Sequence, residues 1–583
     1  VAYCCVMQDH LDSQRQRRAM SGFRDLLEEE VVEFPVHERS PVPGSPATPT
    51  HGPATRLAYA LVAVLVGITA GLGSALVSVN TLPLQQELNL SVHEVAWLST
   101  SYVMTAVSAN LLLIKVRQQY GLRRFALAFL SLHAVLALVL AFVPDFKATL
   151  FVRAVSGFVS VAMIPLCLFS MMQAFPERWR FRGLVLGIGV TQCAVPLAYV
   201  LSPSLLASQG ARSLFLLEAG LALLSLAAVG MLRLPPAERI RVFQPLDALT
   251  FVLTGSGLAL ITAVLGLGRW EGWFHAPWIV ASLLIAIPAL VVAGAIETSR
   301  QSPLLNLRWL GRGDVARFAV AIFLARVALA EQAFAIDVAR ELGGTTQQLA
   351  ALSMAMLGGA VAGVLSSALT VNAEKLARPM MLSAGIIALA ALVNSMSDDP
   401  HQLQRYYMTQ AAIAFAGTFF LGPALLLGIT NALRHGSREL VSFIVLFGIA
   451  NALGALAGPA LLGSHNDWSR ALGGTTLDAM LDTSRLVAVI AGLTTIYLAI
   501  LLILRIRRRL AELRGQRAAD QTSEPLPAAT PVAGPVDIRW RPPRPGNAWV
   551  AAFTAIAMLG VALIVSAWHL PASSALDLVR LPG

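Results

Sequence analysis

LAYALVAVLVGITAGLGSALVSV, residues 57–79, runs for 23 residues without a charge. As an α-helix rising about 1.5 Å per residue it exceeds the ~30 Å hydrocarbon core of a bilayer. A strand of a membrane barrel needs only about 10 residues, so the run is too long for one. Lipid offers the backbone no hydrogen-bond partners, and a helix satisfies its own. The stretch therefore predicts a transmembrane helix.

Working outward, runs of this kind recur about fifteen times, and they predict an all-α, polytopic membrane protein. The predicted spans are 57–79, 95–114, 124–143, 148–172, 183–206 and 212–232, a pair at 246–267 and 276–296, then 315–338, 346–370, 378–396, 404–432, 438–463 and 485–505. One further run, 548–570, stands apart behind a basic, Pro-rich stretch. Composition agrees: 56% of residues are hydrophobic and 13% charged, where a soluble chain carries about 25% charged residues. Mean hydropathy is +0.67.

The net charge of +10 is not a nucleic-acid signal, because its positive residues alternate between loops. Lys115, Arg117, Arg123 and Arg124 follow the second span, Arg178, Arg180 and Arg182 the fourth, and Arg233, Arg239 and Arg241 the sixth. Arg300, Arg308, Arg312 and Arg317 follow the eighth, Lys375 and Arg378 the tenth, Arg434 and Arg438 the twelfth. The loops between carry only strays such as Lys147, Arg269 and Arg340. Positive loops stay inside, which predicts a cytoplasmic N-terminus. The four cysteines suggest no disulfide framework, and no Walker loop, HExxH or CxxC signature occurs, so neither an ATP-driven pump, a metal nor a cofactor is expected.

The expected organisation is a disordered tail at 1–56, a six-helix bundle at 57–232, a two-helix insertion at 246–296, a second six-helix bundle at 315–505, a basic linker at 506–547 and the extra helix at 548–570. Several stretches carry a family likeness: VNTLPLQQELNLSVHEVAWLSTSYV (79–103), KVRQQYGLRRF (115–125), FVRAVSGFVSVAMIPL (151–166), PLDALTFVLTGSGLALITAVLGLGRWEGW (245–273) and FGIANALGALAGPALLG (447–463). On these and the 6+2+6 layout, the chain resembles the major facilitator superfamily, in the fourteen-span drug:proton antiporter (EmrB/QacA-like) form. The resemblance implies two six-helix bundles that alternate access to a small-molecule site, driven by protons, in a bacterial inner membrane. It leaves open a periplasmic adaptor and an outer-membrane channel as partners beside the lipid bilayer, and the helix at 548–570 reads as an accessory helix packed against the bundle.

The resemblance implies roles for particular residues. Gly121, Arg123 and Arg124 match the loop that latches one conformation, although Gln118 stands where a carboxylate is often found, and plain positive-inside anchoring is the alternative. Arg153 in the fourth span takes a role in proton transfer or in tuning a nearby carboxylate, with snorkelling to the interface as the alternative. The fifth span, GIGVTQCAVPLAYVLSP (187–203), departs from the glycine-rich antiporter signature. In the first span, the acid common among relatives falls on Ser74, which carries no proton at ordinary pH.

Another carboxylate must then couple. The ninth span, VARFAVAIFLARVALAEQAFAID (315–337), holds Arg326 near mid-membrane and Glu331 about 7.5 Å further along, turned roughly 140° away. An acid inside a span is a functional candidate by default, and Glu331, Arg326 and Arg153 are expected to couple protons, with a structural inter-helix ion pair as the alternative. Glu218 in the sixth span is a further candidate, read as lying near the outer face. Tyr102, Asn110, Gln192, Tyr199, Gln410 and Asn451 are polar residues within spans, either lining a substrate path or bridging helices. Asp247 reads as a helix cap. The function expected is proton-coupled efflux of small amphipathic compounds. A transporter-derived scaffold or sensor and an uncoupled metabolite facilitator are the other readings.

Overall fold

The computed structural model describes residues 46–520 and 547–569, apart from 144, 233, 237–242, 301–302, 342, 373–374 and 397–402. Most of the predicted tail and most of the 506–547 linker lie outside the described residues. Among the described residues, fourteen helices are long and apolar enough to cross a membrane. They are Pro53–Ser78, Val92–Leu112, Leu122–Leu140, Phe146–Ala174, Glu177–Gln209 and Ala211–Met231, then Pro245–Leu267 and Pro277–Ser299, then Gly313–Arg340, Thr346–Thr370, Ala377–Ser395, Arg405–Leu433, Glu439–Ala471 and Thr476–Leu504. They are numbered here as the first to fourteenth spans.

Polar residues at the helix starts explain where several spans begin. Ser91 and Glu94 form a reciprocal capping box at the second, as do Thr345 and Gln348 at the tenth. The Asp145 side chain accepts from the Ala148 backbone at the fourth. Three spans are broken in mid-course. The fourth breaks at Val161–Ala162, the fifth at Cys193 and the ninth at Leu329–Ala330. Close approach of the second and fourth spans depends on Gly157, where a Cβ would strike the Tyr102 carbonyl.

The first six spans pack mainly among themselves, as do the ninth to fourteenth, and the fifth reaches across to the tenth and twelfth. The seventh span touches both groups, packing on the second and the thirteenth. The helix of the fourteenth span continues to Asp520, into the stretch read as linker. The extra helix, Asn547–His569, lies along the sixth span. There Gly220 meets Gly560: a Cβ on Gly220 would stand 2.7 Å from the Gly560 carbonyl oxygen.

One end of the bundle, where the sequence places the basic loops, is crossed by residues 46–51. Ala47, Thr48 and His51 are buried there. His51 Nε2 donates to Gln173 Oε1 at 2.8 Å, Gln173 Nε2 donates to the Ala47 carbonyl at 2.8 Å, and Arg180 donates to the Thr48 carbonyl. Burial holds the His51 imidazole below its ordinary value of 6.5; the Gln173 hydrogen bond works against this, while Arg56 and Arg180 add to it. A base whose folded pKa lies below its unfolded value binds its proton less readily when folded. The packing of 46–51 is therefore intact above about pH 6.5 and is lost as pH falls through the lowered folded value. Proteolysis within 46–52 should accelerate on acidification, and His51→Gln should remove that pH dependence. A cleavage rate equally pH-dependent in His51→Gln would contradict the assignment.

Candidate functional site

Arg153 and Glu218 are brought together deep in the first six-span group. Both are shut from solvent, at 0% and 1% exposure. Arg153 Nη1 lies 3.6 Å from Glu218 Oε2 and donates to the Gly73 carbonyl at 2.9 Å. Its Nε faces the Leu98 carbonyl at 3.5 Å, and the guanidinium sits 4.4 Å from the centre of the Tyr102 ring. The other carboxylate oxygen of Glu218 is 3.5 Å from His133 Nε2. Side chains or carbonyls of the first, second, third, fourth and sixth spans thus converge on one buried charge pair.

Arg153 is enclosed and does not take the snorkelling alternative. The placement differs from the sequence reading in two ways. Glu218 is not at the outer face but inside the bundle, about two turns from the end of its helix. His133 did not figure among the candidates, although an ionisable residue in the otherwise apolar third span was the available signal.

The first span meets the cluster at Gly73, where a Cβ would stand 3.0 Å from Glu218 Oε1 and 2.9 Å from the Tyr102 hydroxyl. The sixth span therefore delivers a carboxylate to the place that an acidic side chain on the first span would fill.

The second six-span group buries an acid of its own. Glu331 starts the second half of the broken ninth span and is 5% exposed. Its Oε1 accepts from Asn394 Nδ2 at 2.8 Å and from Ser484 Oγ at 3.2 Å, while Oε2 has no hydrogen-bond partner. Thr409 donates to Asn394 Oδ1 at 2.6 Å, and Gln332 Nε2 donates to the Gln410 carbonyl at 3.2 Å. Helices one, three, four and six contribute around the acid in each group, with helix two added in the first; the acid itself sits on helix six in the first group and on helix one in the second. The groups also differ in the cation, since Glu218 has Arg153 beside it and Glu331 has polar neutral neighbours.

Arg326 and Glu331 do not pair. Arg326 Nη1 donates instead to Gln192 Oε1 of the fifth span at 3.2 Å. Tyr199, further along the fifth span, donates to the Ala333 carbonyl at 3.4 Å. Asn110 lies against Gly448 of the thirteenth span, 3.5 Å from where a Cβ would stand, and Asn451 follows one turn later on that helix.

The latch expected at Gly121, Arg123 and Arg124 has a glycine joint: Gly121, at φ +85°, connects the second and third spans where a side chain would be strained. At this end a cluster of ion pairs ties the second helix to the seventh and eighth spans. The second helix runs on to Tyr120, so Lys115 projects from a helix and not from a loop. Lys115 Nζ donates to both oxygens of Asp247 at 2.9 Å, and Arg300 Nη2 donates to Asp247 Oδ1 at 2.6 Å. Asp247 also accepts from the Gln244 backbone, so it caps its helix as expected while holding two buried cations. Arg300 Nη1 donates to Glu297 at 2.8 Å, and the Asn306 backbone reaches Ser442 of the thirteenth span at 2.9 Å. At the opposite end, Arg269 grips Asp467 through two hydrogen bonds of 2.7 and 2.8 Å, and Trp273 Nε1 donates to Ser464.

Among the described residues no cluster of His, Cys, Asp and Glu is arranged to hold a metal ion. Residues 62–308 match the family profile described as Major Facilitator Superfamily. No curated protein matches the chain. Among solved structures, a variant of the nucleoside transporter NupG is 12% identical, covering 76% of this chain and 99% of its own, with a TM-score of 0.50. The human organic anion transporter MFSD10 (TETRAN) is 13% identical, with coverage of 76% and 99% and a TM-score of 0.52. The chain thus has the all-helical fold of the major facilitator transporters, with the superfamily's sequence profile over residues 62–308.

Proposed function

We propose that this protein is a secondary active transporter that exports a small amphipathic molecule against its gradient, driven by protons. The observation that carries the reading is the Arg153–Glu218 pair, sealed against the first span beside His133. Charges inside a span are costly and persist where they act on a pathway or a proton relay. A carboxylate that exchanges a proton can hold Arg153 in one state and release it in the other. The five helices that meet there would then repack, and the two six-span halves would rock about the centre. Glu331 is the second relay acid in this reading. The basic end of the bundle faces the cytoplasm of a bacterial inner membrane.

The test is efflux of fluorescent dyes from cells expressing the chain, with and without a protonophore, repeated in proteoliposomes under an imposed pH gradient. Uphill efflux that collapses with the gradient is expected. Gradient-independent equilibration would instead indicate a facilitator. A correctly inserted protein that moves nothing would favour the scaffold or sensor reading.

A further inference from the structure

Arg326 lies midway along the ninth span and, among the described residues, has no counter-ion. It sits where three spans cross. The fifth is broken at Cys193, next to its partner Gln192, and the ninth is broken three residues beyond Arg326. The thirteenth presses Gly454 against it, so that a Cβ there would lie 2.7 Å from Arg326 Cβ. Discontinuous helices meeting at mid-membrane are the usual architecture of a transporter's binding site.

The charge is unbalanced. The Gln192 oxygen is neutral, and Arg326 Nε is buried without any partner. Among the described residues no carboxylate pairs with Arg326; Glu331 is held by Asn394 and Ser484. Arg153 and Lys115 are different, because each faces its own acid. One turn before Gly454, Asn451 Oδ1 is also buried without a partner. A guanidinium at the bilayer centre costs about 2.5–3.5 kcal/mol on insertion scales. A bound anion offsets that cost and takes up the free donors.

We propose that Arg326 is the counter-ion of the transported molecule, and that the substrate is an organic monoanion, a carboxylate or sulfonate on an apolar body. A monoanion leaves the occupied centre neutral, whereas a dianion would leave a net charge buried. Gln192 orients the guanidinium, and Asn451 supplies a polar contact from the facing helix. This assignment rests on the transporter reading above but concerns the site's chemistry, so the two can fail separately.

The test is equilibrium binding to the purified full-length chain. Dansylglycine and 2-naphthalenesulfonate serve as monoanions and ethidium as a cation, beside Arg326→Gln, Arg326→Lys and Arg326→Met. The monoanions should bind the parent and lose at least about tenfold in affinity in Arg326→Gln, the loss of one charge-assisted contact. Arg326→Lys should retain most of the affinity. Arg326→Met, of similar length and without charge, should unfold no more readily than the parent, since it removes an unpaired charge. This keeps the test open should the Gln variant fold poorly. Failure of both monoanions to bind the parent, or unchanged affinity in Arg326→Gln and Arg326→Met, would overturn the assignment. Proton-driven efflux of ethidium that ignores Arg326→Gln would overturn it too, while leaving transport itself standing.

Discussion

Glu218→Gln should abolish uphill efflux while leaving substrate exchange across a membrane with no pH gradient. The amide keeps the shape of the acid but can neither lose a proton nor balance Arg153. That arginine, fully buried, would keep only the Gly73 and Leu98 carbonyls and the Tyr102 face. Breaking a buried pair by removing one partner costs about 3–5 kcal/mol, so the thermal midpoint should fall as well. Loss of transport could then be blamed on poor folding, and a second variant separates the two. Gly73→Asp combined with Glu218→Ala moves the carboxylate onto the first span, into the space that Glu218 vacates. It should restore stability and part of the proton-driven efflux. Glu331→Gln is the matching control in the other half. It strands no cation, so its thermal midpoint should change less. Full gradient-driven efflux by Glu218→Gln, with an unchanged pH profile, would remove this pair from the coupling mechanism.

The second large effect is expected at Asp247. One carboxylate there holds Lys115 and Arg300, and all three side chains are nearly shut from solvent. Asp247→Asn leaves two buried cations facing an amide, again with an expected cost of about 3–5 kcal/mol. Because Lys115 sits on the helical extension of the second span and Arg300 follows the eighth, the loss should also loosen this end of the bundle. Single cysteines placed near Lys115 should react faster with a water-soluble maleimide in Asp247→Asn than in the parent. Equal labelling rates and equal thermal midpoints would show that these ions do not hold the end closed. Asp467→Asn is the contrasting variant. The acid itself is half exposed and its partner Arg269 only partly buried, so the expected effect is about 1 kcal/mol.

The fold was legible because a span is a local property. Twenty apolar residues announce themselves without reference to the rest of the chain, and each of the fourteen predicted spans overlaps one of the fourteen helices. The ends were less legible. The thirteenth helix runs to Ala471 where 463 was expected, and the fourteenth starts at Thr476 where 485 was expected. Helical hydrogen bonds do not stop where lipid stops, and polar contacts such as Ser469 to Asp482 support the extra turns. Lys115 was misplaced for the same reason, since a helix two turns longer than its apolar core lifts a loop residue onto a helix face.

The site was legible one residue at a time but not as a set. Arg153 and Glu218 each stood out as a charge inside a span. Their contact joins residues 65 positions apart through the packing of separate helices, and no spacing rule connects them. His133 escaped because a single histidine in an apolar run also reads as ordinary packing. Arg326 and Glu331 lie near each other in sequence, but their roughly 140° separation around the helix already pointed them to different neighbours; which neighbours these are depends on the packing and on the break at Leu329–Ala330.

The seventh span is pinned at one end to the second span through Asp247, and at the other to the thirteenth through Arg269. A rod fastened to different halves at its two ends behaves as a diagonal brace. When the halves tilt, one fastening must yield while the other serves as the pivot. The buried fastening is costly to break, and the exposed one is cheap and further weakened by salt. The brace therefore gives the rocking motion a direction: the end held by Arg269 and Asp467 opens first, and raising the ionic strength lengthens the time it stays open.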